Sequence, residues 1–432
     1  MNNLKQQLYG LWKKFRMWGV KGAVDCLLRQ GIERRERQFF LDNARLHPHP
    51  FPERGITIVG DVSSKNSLPK VLCDFAFSLK ASGIPFQVLD IGNGGIPASD
   101  LETILTPPED FEICRFTHSV EMIADKIPNG LVNYRSRIVF WEFNEGVGDG
   151  YPCLWENDDA IVAMSDFNYE YFQREFGPNR TILKILYPLR IDVSHIQEKT
   201  ECREKFGINS NAFVVFYNFS YSSGWWRKNP DAAVRAFARA FRSNANAMLV
   251  FKTSGKAGHE NLEERLLNIA KTEGVSDRLA LFGEWMTQRD LYELTNCCDV
   301  YLSLHRAEGF GLGCAEAMCL SKAVVATDYS ATTEFCKPTC SIPVPYELVD
   351  VPEEGRREQA ALRFVRKWAE PDIDAAAEAL RRLYNDETLR FELGRKARDY
   401  ISKKYSIENF RKSVLEFLEC GQASRVNPSL VK

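Results

Sequence analysis

The chain has 432 residues, more than one core usually organises, so two domains that each bury their own core are expected and a small peptide-binding module is excluded. Hydrophobic residues make up 44% and charged residues 26%, close to ordinary soluble usage, and the formal net charge of -2 offers no whole-chain attraction to nucleic acid. The twelve cysteines form no CxxC pair of the kind structural zinc sites use, and there is no apolar run of about eighteen residues or cleavable signal peptide; free thiols, no metal and a cytoplasmic chain are expected.

Residues 1–40 are locally basic, with Lys5, Lys13, Lys14, Arg16, Lys21, Arg29, Arg34, Arg35 and Arg37 outnumbering Asp25, Glu33 and Glu36. Leu4, Leu8, Leu11, Phe15 and Trp18 recur at helical spacing, so residues 1–50 read as a basic amphipathic helical extension. Such a helix either lies on a membrane surface or packs on its own domain, and Gly10, Gly19 and Gly22 weaken it in both cases.

After the His47-Pro48-His49-Pro50 breaker, strand and helix patterns alternate: Gly55 to Gly60, a helix from about Leu68 to Ala81, then strands at Phe86 to Asp90, Ile113 to Thr117, Arg137 to Trp141 and Ala160 to Ala163. This is enough for one open α/β domain over residues 51–195, followed by a polar linker over 191–210. A second alternation over 205–405 starts at Phe213 to Tyr217 and continues through Met248 to Lys252, Leu279 to Gly283, Val300 to Leu304 and Ala323 to Thr327. Helical patterns at Ile373 to Tyr384 and Asp386 to Lys404 precede a last helix and tail over 406–432. Two doubly wound halves of this kind bind ligands at the carboxyl ends of their strands, which makes the cleft between them the place for chemistry.

One segment carries a chemical signature. Ser303-Leu304-His305-Arg306-Ala307-Glu308-Gly309-Phe310-Gly311-Leu312-Gly313-Cys314-Ala315-Glu316 runs from a strand end through glycines into a helix, the arrangement of a phosphate site. Gly309, Gly311 and Gly313 are expected to let a ligand approach the backbone, the helix start offers unpaired N–H groups, and Glu316 in the first turns can accept from paired ribose hydroxyls. A glycine turn alone is equally a structural turn with Glu308 as a solvated acid.

Glu308, seven intervening residues and Glu316, in the context SLHRAEGFGLGCAEAM, resemble the EX7E motif of retaining glycosyltransferases of the GT-B fold, family 4. The resemblance extends over about residues 55–405. Phe219-Ser220 followed by Arg227-Lys228-Asn229-Pro230 resembles the basic loop that neutralises the donor diphosphate in that family, and two fixed cations suit charge developing on a departing diphosphate. Arg137 to Glu142 and Asp159 to Ser165 resemble the family's N-terminal segment, with Trp141 read as core. Phe116-Thr117-His118 resembles the strand end whose histidine approaches the donor sugar in some members, the bland alternative being a half-buried histidine. Asp328 to Phe335 resembles the loop after the next strand, with Ala331 where glycine is common. The loop Gly60 to Ser67 departs from the family, which often carries a glycine-rich turn and an arginine there, and an arginine usual before the basic lysine is missing near Ser222.

The resemblance implies two Rossmann-like domains facing across a cleft, and transfer of a hexose-type sugar with retention from a nucleotide-diphosphate sugar to a glycan or polysaccharide acceptor, with a lipid-linked acceptor at a cytoplasmic membrane face as the form that the basic N-terminus favours. Glu308, Lys228, Arg227 and His118 are then the catalytic candidates; Gly309, Phe310, Gly311, Leu312, Glu316, Trp285 and Met286 are the donor-binding ones. No cofactor beyond the co-substrate is expected, and no metal: the one Asp-x-Asp pair, Asp372-Ile373-Asp374, reads as a helix cap. A nucleotide-sugar hydrolase or phosphorylase and an inactive nucleotide-sugar-binding protein are the competing readings, since fold alone does not prove turnover.

Overall fold

A computed structural model of the chain describes residues 56–60, 67–90, 118–121, 134–146, 158–177, 179–256, 258–358 and 360–426. The basic N-terminal extension and the loop over 61–66 lie outside the described residues.

The first half holds β1 (Ile56–Gly60), α1 (Ser67–Ala81), β2 (Phe86–Asp90), β3 (His118–Glu121), β4 (Tyr134–Ile138), β5 (Ala160–Ala163), α2 (Asp166–Phe176) and β6 (Thr181–Lys184). Its strands form one parallel sheet of order β2-β1-β3-β4-β5-β6. After α3 (Lys199–Lys205) the second half holds β7 (Phe213–Ser220), α4 (Trp225–Lys228), α5 (Pro230–Phe241), β8 (Ala247–Ser254), α6 (Glu260–Thr272), β9 (Leu279–Phe282), α7 (Gln288–Asn296), β10 (Val300–Ser303), α8 (Leu312–Cys319), β11 (Ala323–Thr327) and β12 (Ile342–Val344). Its sheet is also parallel, of order β12-β11-β10-β7-β8-β9. An antiparallel pair, β13 (Tyr346–Asp350) and β14 (Lys367–Pro371), flanks α9 (Glu353–Glu358), and α10 (Ile373–Asn385), α11 (Glu387–Lys404) and α12 (Ile407–Val426) finish the chain.

The two doubly wound halves match the expected α/β architecture. Strands such as Ala323 to Thr327, buried at every position, are continuous apolar runs because helices cover both faces of a parallel sheet. Pro230 opens α5 where its missing N–H costs nothing, and Asp372 caps α10 by accepting from the N–H groups of Asp374 and Ala375, both at 2.9 Å.

Two stretches differ from the sequence reading, and the last helix takes an added role. The strand expected over Arg137 to Trp141 ends at Ile138; Trp141 and Phe143 lie beyond it, buried in an apolar cluster with Ile161, Tyr171 and Phe172. The residues beyond 190 are not merely linker: Arg203 of α3 is buried, donating to Ser210 O at 2.6 Å, Cys297 O at 3.0 Å and Asp299 at 2.8 Å, which anchors this stretch to the second half. The last helix, α12, leaves the second half and closes the first. Phe410 meets Phe75 of α1 edge-on at 5.4 Å, Arg411 donates to Ser82 O at 3.2 Å, and Leu186 N–H donates to Ser413 Oγ at 3.1 Å.

The halves also touch directly. The apolar cluster around Trp141 continues into Ala307, Tyr329, Leu362, Val365 and Trp368 of the second half, and Glu145 accepts from the N–H groups of Arg366 and Lys367 at 2.6 and 2.7 Å. Phe410→Ala is expected to cost about 3 kcal/mol, as a buried ring lost from a helix contact does. Urea unfolding should place the loss in the transition that carries the first half.

Candidate active site

Each sheet reverses its strand order beside its first strand, at β1/β3 and at β7/β10, and the open crevices at such switch points lie off the carboxyl ends of the strands. The loops after β7 and β10 therefore converge. Arg227 and Lys228 arrive on α4, the short turn after β7, and Glu308 arrives on the loop after β10.

Lys228 Nζ is hydrogen-bonded to Glu308 Oε1, and Arg227 Nη1 stands 3.3 Å from Glu308 Oε2. Arg227 is fixed further by donating to Ser223 O at 3.1 Å and to Ala307 O at 3.2 Å, with Glu142 of the first half 3.6 Å from its Nη2. Tyr217 Oη donates to Lys228 O at 2.6 Å and so ties the turn to β7. Burial alone would raise the Glu308 pKa, but Lys228, Arg227 and His305 outweigh it and hold the carboxyl down at about 2. Burial and the neighbouring Arg227 lower the Lys228 pKa although Glu308 opposes them.

Behind Glu308 sits a residue that the sequence reading passed over. His305 is fully buried, its Nε2 3.3 Å from Tyr329 O and 3.2 Å from Thr332 Oγ1, its Nδ1 3.0 Å from Ser303 Oγ. Because a carbonyl only accepts, Nε2 carries the proton and Nδ1 accepts from the serine. Burial pushes its pKa down to about 4, so it stays neutral beside the cations. It thereby fastens the loop after β10 to the loop after β11, where Ser330 Oγ accepts from Glu308 N–H at 2.7 Å and Ala331 N–H donates to Glu308 O at 3.2 Å. A histidine at a strand end was the available signal in the sequence.

The glycine loop is also required by the packing of the protein itself. A Cβ on Gly313 would strike the Tyr301 hydroxyl and Asn218, one on Gly311 (φ +90°) would strike Thr332, and one on Gly309 would lie 3.1 Å from Phe140 Cβ. The glycines thus admit neighbouring protein atoms; Phe140 belongs to the first half, so Gly309 is where the halves come together. Phe310 is buried and stacks on Tyr187 with centroids 3.9 Å apart and planes 13° apart. Leu312 is the half-buried first residue of α8, whose N-cap Gly311 has no side chain to cap it.

Glu316, one turn further, is buried. Tyr292 Oη lies 3.4 Å and Gln288 Nε2 3.5 Å from its Oε1, both from α7, while Lys70 Nζ of α1 lies 4.0 Å away. Burial raises its pKa to about 7, with the Asp74 charge adding to the rise and Lys70 and Tyr292 opposing it. Trp285, 61% exposed, and half-buried Met286 lie on the loop after β9, at the same carboxyl edge of the sheet.

His118 is placed otherwise than the sequence reading had it. The strand expected over Ile113 to Thr117 lies outside the described residues; His118 opens β3, in register with Ile56 and Tyr134, the first residues of their own strands. It stands three residues, about 10 Å, from the carboxyl end of β3 that faces the crevice. Among the described residues no three His, Cys, Asp or Glu side chains converge as a metal site would need.

The Glu316 pKa fixes the sign of a stability effect. A folded value near 7 against an unfolded value of 4.5 means the native state binds the extra proton, so this group's contribution is fully present below about pH 4.5 and lost as pH rises through 7. Glu316→Gln, which keeps the neutral shape, should leave Tm nearly unchanged at pH 5 and raise it at pH 8. A Tm difference that does not grow with pH between those values contradicts this.

Residues 198–340 match the model of the Glycosyl transferases group 1 family. The lipopolysaccharide core biosynthesis mannosyltransferase LpsB of Rhizobium meliloti is 28% identical over 231 residues, 51% of this chain and 61% of LpsB, so the matched part spans less than two thirds of that relative. Among solved structures, sucrose-phosphate synthase of Thermosynechococcus elongatus superposes over 86% of this chain and 100% of its own, with a TM-score of 0.63 at 13% identity. Anabaena HepE, solved with UDP and glucose, covers 85% of this chain and 100% of its own at a TM-score of 0.58 and 14% identity. WaaG, a glycosyltransferase involved in lipopolysaccharide biosynthesis, covers 84% and 99% at 0.56 and 15% identity. The fold is GT-B, and residues 198–340 of its second half resemble the group 1 glycosyl transferases.

Proposed function

We propose that the chain is a retaining, metal-independent glycosyltransferase of family 4 that moves a hexose from a nucleoside-diphosphate sugar to a hydroxyl of a glycan acceptor. The observation that carries this reading is the junction of Glu308 with Lys228 and Arg227 at the switch point of the second sheet, directly before the glycine loop and α8. Two cations already fixed in place suit a departing diphosphate that gains negative charge as the sugar leaves.

In this scheme the acceptor oxygen attacks the anomeric carbon on the face from which the diphosphate departs. The bond from that carbon to the diphosphate oxygen breaks, and the acceptor's proton passes to the leaving diphosphate. Glu308 then serves as a hydrogen-bond acceptor for the sugar's hydroxyls; a carboxylate with both oxygens on cations and a pKa of about 2 is a weak nucleophile. Glu316 accepts from the ribose, and Trp285 and Met286 offer the nucleoside a face to lie on. The name of the Rhizobium relative favours mannose or another hexose as the sugar and a lipid-linked core glycan as the acceptor. Residues 1–40 would hold the chain at the cytoplasmic face of an anionic membrane.

A panel of nucleotide sugars that includes GDP-mannose and UDP-glucose tests the central claim, reading released nucleotide and thermal stabilisation. One donor should stabilise both wild type and Glu308→Gln, while turnover falls in the variant by on the order of 100-fold. A panel in which no donor stabilises wild type removes the transferase reading. The anomeric proton coupling of the product should match that of the donor, and an inverted product overturns retention; chelator should leave the rate unchanged. In co-sedimentation with anionic vesicles, full-length protein should pellet and protein lacking residues 1–40 should not, and equal failure of both refutes the membrane contact.

A further inference from the structure

The environment of Glu316 is unusual for a carboxylate inside a protein. Its contacts from Tyr292, Gln288 and Lys70 fall on one oxygen at 3.4, 3.5 and 4.0 Å, all at or beyond the length of a good hydrogen bond. Across from it, on the first half, Lys70 is held by Asp74 at 2.5 Å, and Asp74 is itself 6% exposed. Tyr187, which follows β6, is 1% exposed, and its hydroxyl has no hydrogen-bond partner although the charges of Asp74 and Glu316 both act on it. Stacking on Phe310 holds that ring in place, so the hydroxyl cannot turn out to solvent to find one.

A buried phenol without a partner and a carboxylate with only long ones are both costly, and both face the same junction. The charge balance says what would satisfy them. Two carboxyl groups, Glu316 and Asp74, stand against the single positive charge of Lys70, so no surplus positive charge awaits a phosphate and a neutral group that donates hydrogen bonds is favoured. One hydroxyl oxygen about 2.8 Å from both Lys70 Nζ and Glu316 Oε1 would bridge their gap, and a second, on the adjacent carbon, would reach the remaining carboxylate oxygen and the phenol.

We propose that Lys70, oriented by Asp74, and Tyr187 form a second wall of the nucleoside site, so that the vicinal diol of the donor's ribose is gripped from both halves of the molecule at once. The proposal rests on the donor reading of Glu316 given above. It makes the first half a participant in donor recognition, and it makes occupancy of the diol site a force that draws α1 towards α8.

The experiment is calorimetric titration of the full chain with UDP and GDP and with their 2′-deoxy counterparts. Wild type should prefer the ribonucleotide by tenfold or more. In Lys70→Met that preference should collapse, the ribonucleotide losing at least tenfold while the deoxynucleotide is nearly unaffected. Tyr187→Phe keeps the stack on Phe310 and removes only the hydroxyl; it should hold its Tm and lose ribonucleotide affinity by about threefold or more, which keeps the proposal testable if Lys70→Met folds poorly. An unchanged ribo-to-deoxy ratio in both variants overturns the second wall and leaves the donor reading intact. Failure of wild type to bind any of the four nucleotides overturns both.

Discussion

A carboxylate taken out of water between two cations sets the geometry of the cleft. Glu308, Lys228 and Arg227 are each shielded from solvent, and removing any one of them leaves an uncompensated charge where solvation is poor. The surrounding structure exists to hold them. Tyr217 fastens the lysine's backbone, Ser223 and Ala307 carbonyls fasten the arginine, and the Ser330 hydroxyl and Ala331 N–H fasten the Glu308 backbone. Neutral His305 joins the two loops without adding a third cation. A charge cluster fixed this way presents its field without reorganisation.

The meeting of the halves has two textures. Towards the β13–β14 pair it is apolar, with Trp141, Phe143 and Tyr171 against Leu362, Val365 and Trp368. Towards α1 it is polar and imperfectly satisfied, with Lys70, Asp74, Tyr187 and Glu316. Apolar contact is indifferent to small sliding, whereas the polar side has unmet hydrogen-bonding capacity and so responds to what fills it. The same chain thus carries a side that keeps the halves together and a side with a reason to close.

The second half was the more legible in sequence, for a physical reason. Most of its strands are buried on both faces and read as apolar runs, so the loops after them that hold Arg227, Lys228 and Glu308 could be located from local pattern, while the roles expected of these residues came from the family resemblance. The first half misled where an apolar run outlasts its strand: Trp141 and Phe143 are apolar because they fill the contact between halves, not because β4 continues through them. His118 was read at the wrong end of its strand for want of any turn signal between Phe116 and Glu121. The glycines were legible as a loop, but not that each also clears space for Tyr301, Thr332 or Phe140. Lys70, Asp74 and Tyr187 were invisible, being brought to Glu316 only by the packing of two separate sheets.

The return of α12 to the first half bears on how the chain is made. Phe410 and Ser413 complete a core whose last strand ends at Lys184, so the first half leaves the ribosome before the α12 contact on α1 can form. At about 5–20 residues per second the delay lasts on the order of tens of seconds. Throughout that interval the face of α1 around Phe75 lacks the cover that Phe410 later gives it.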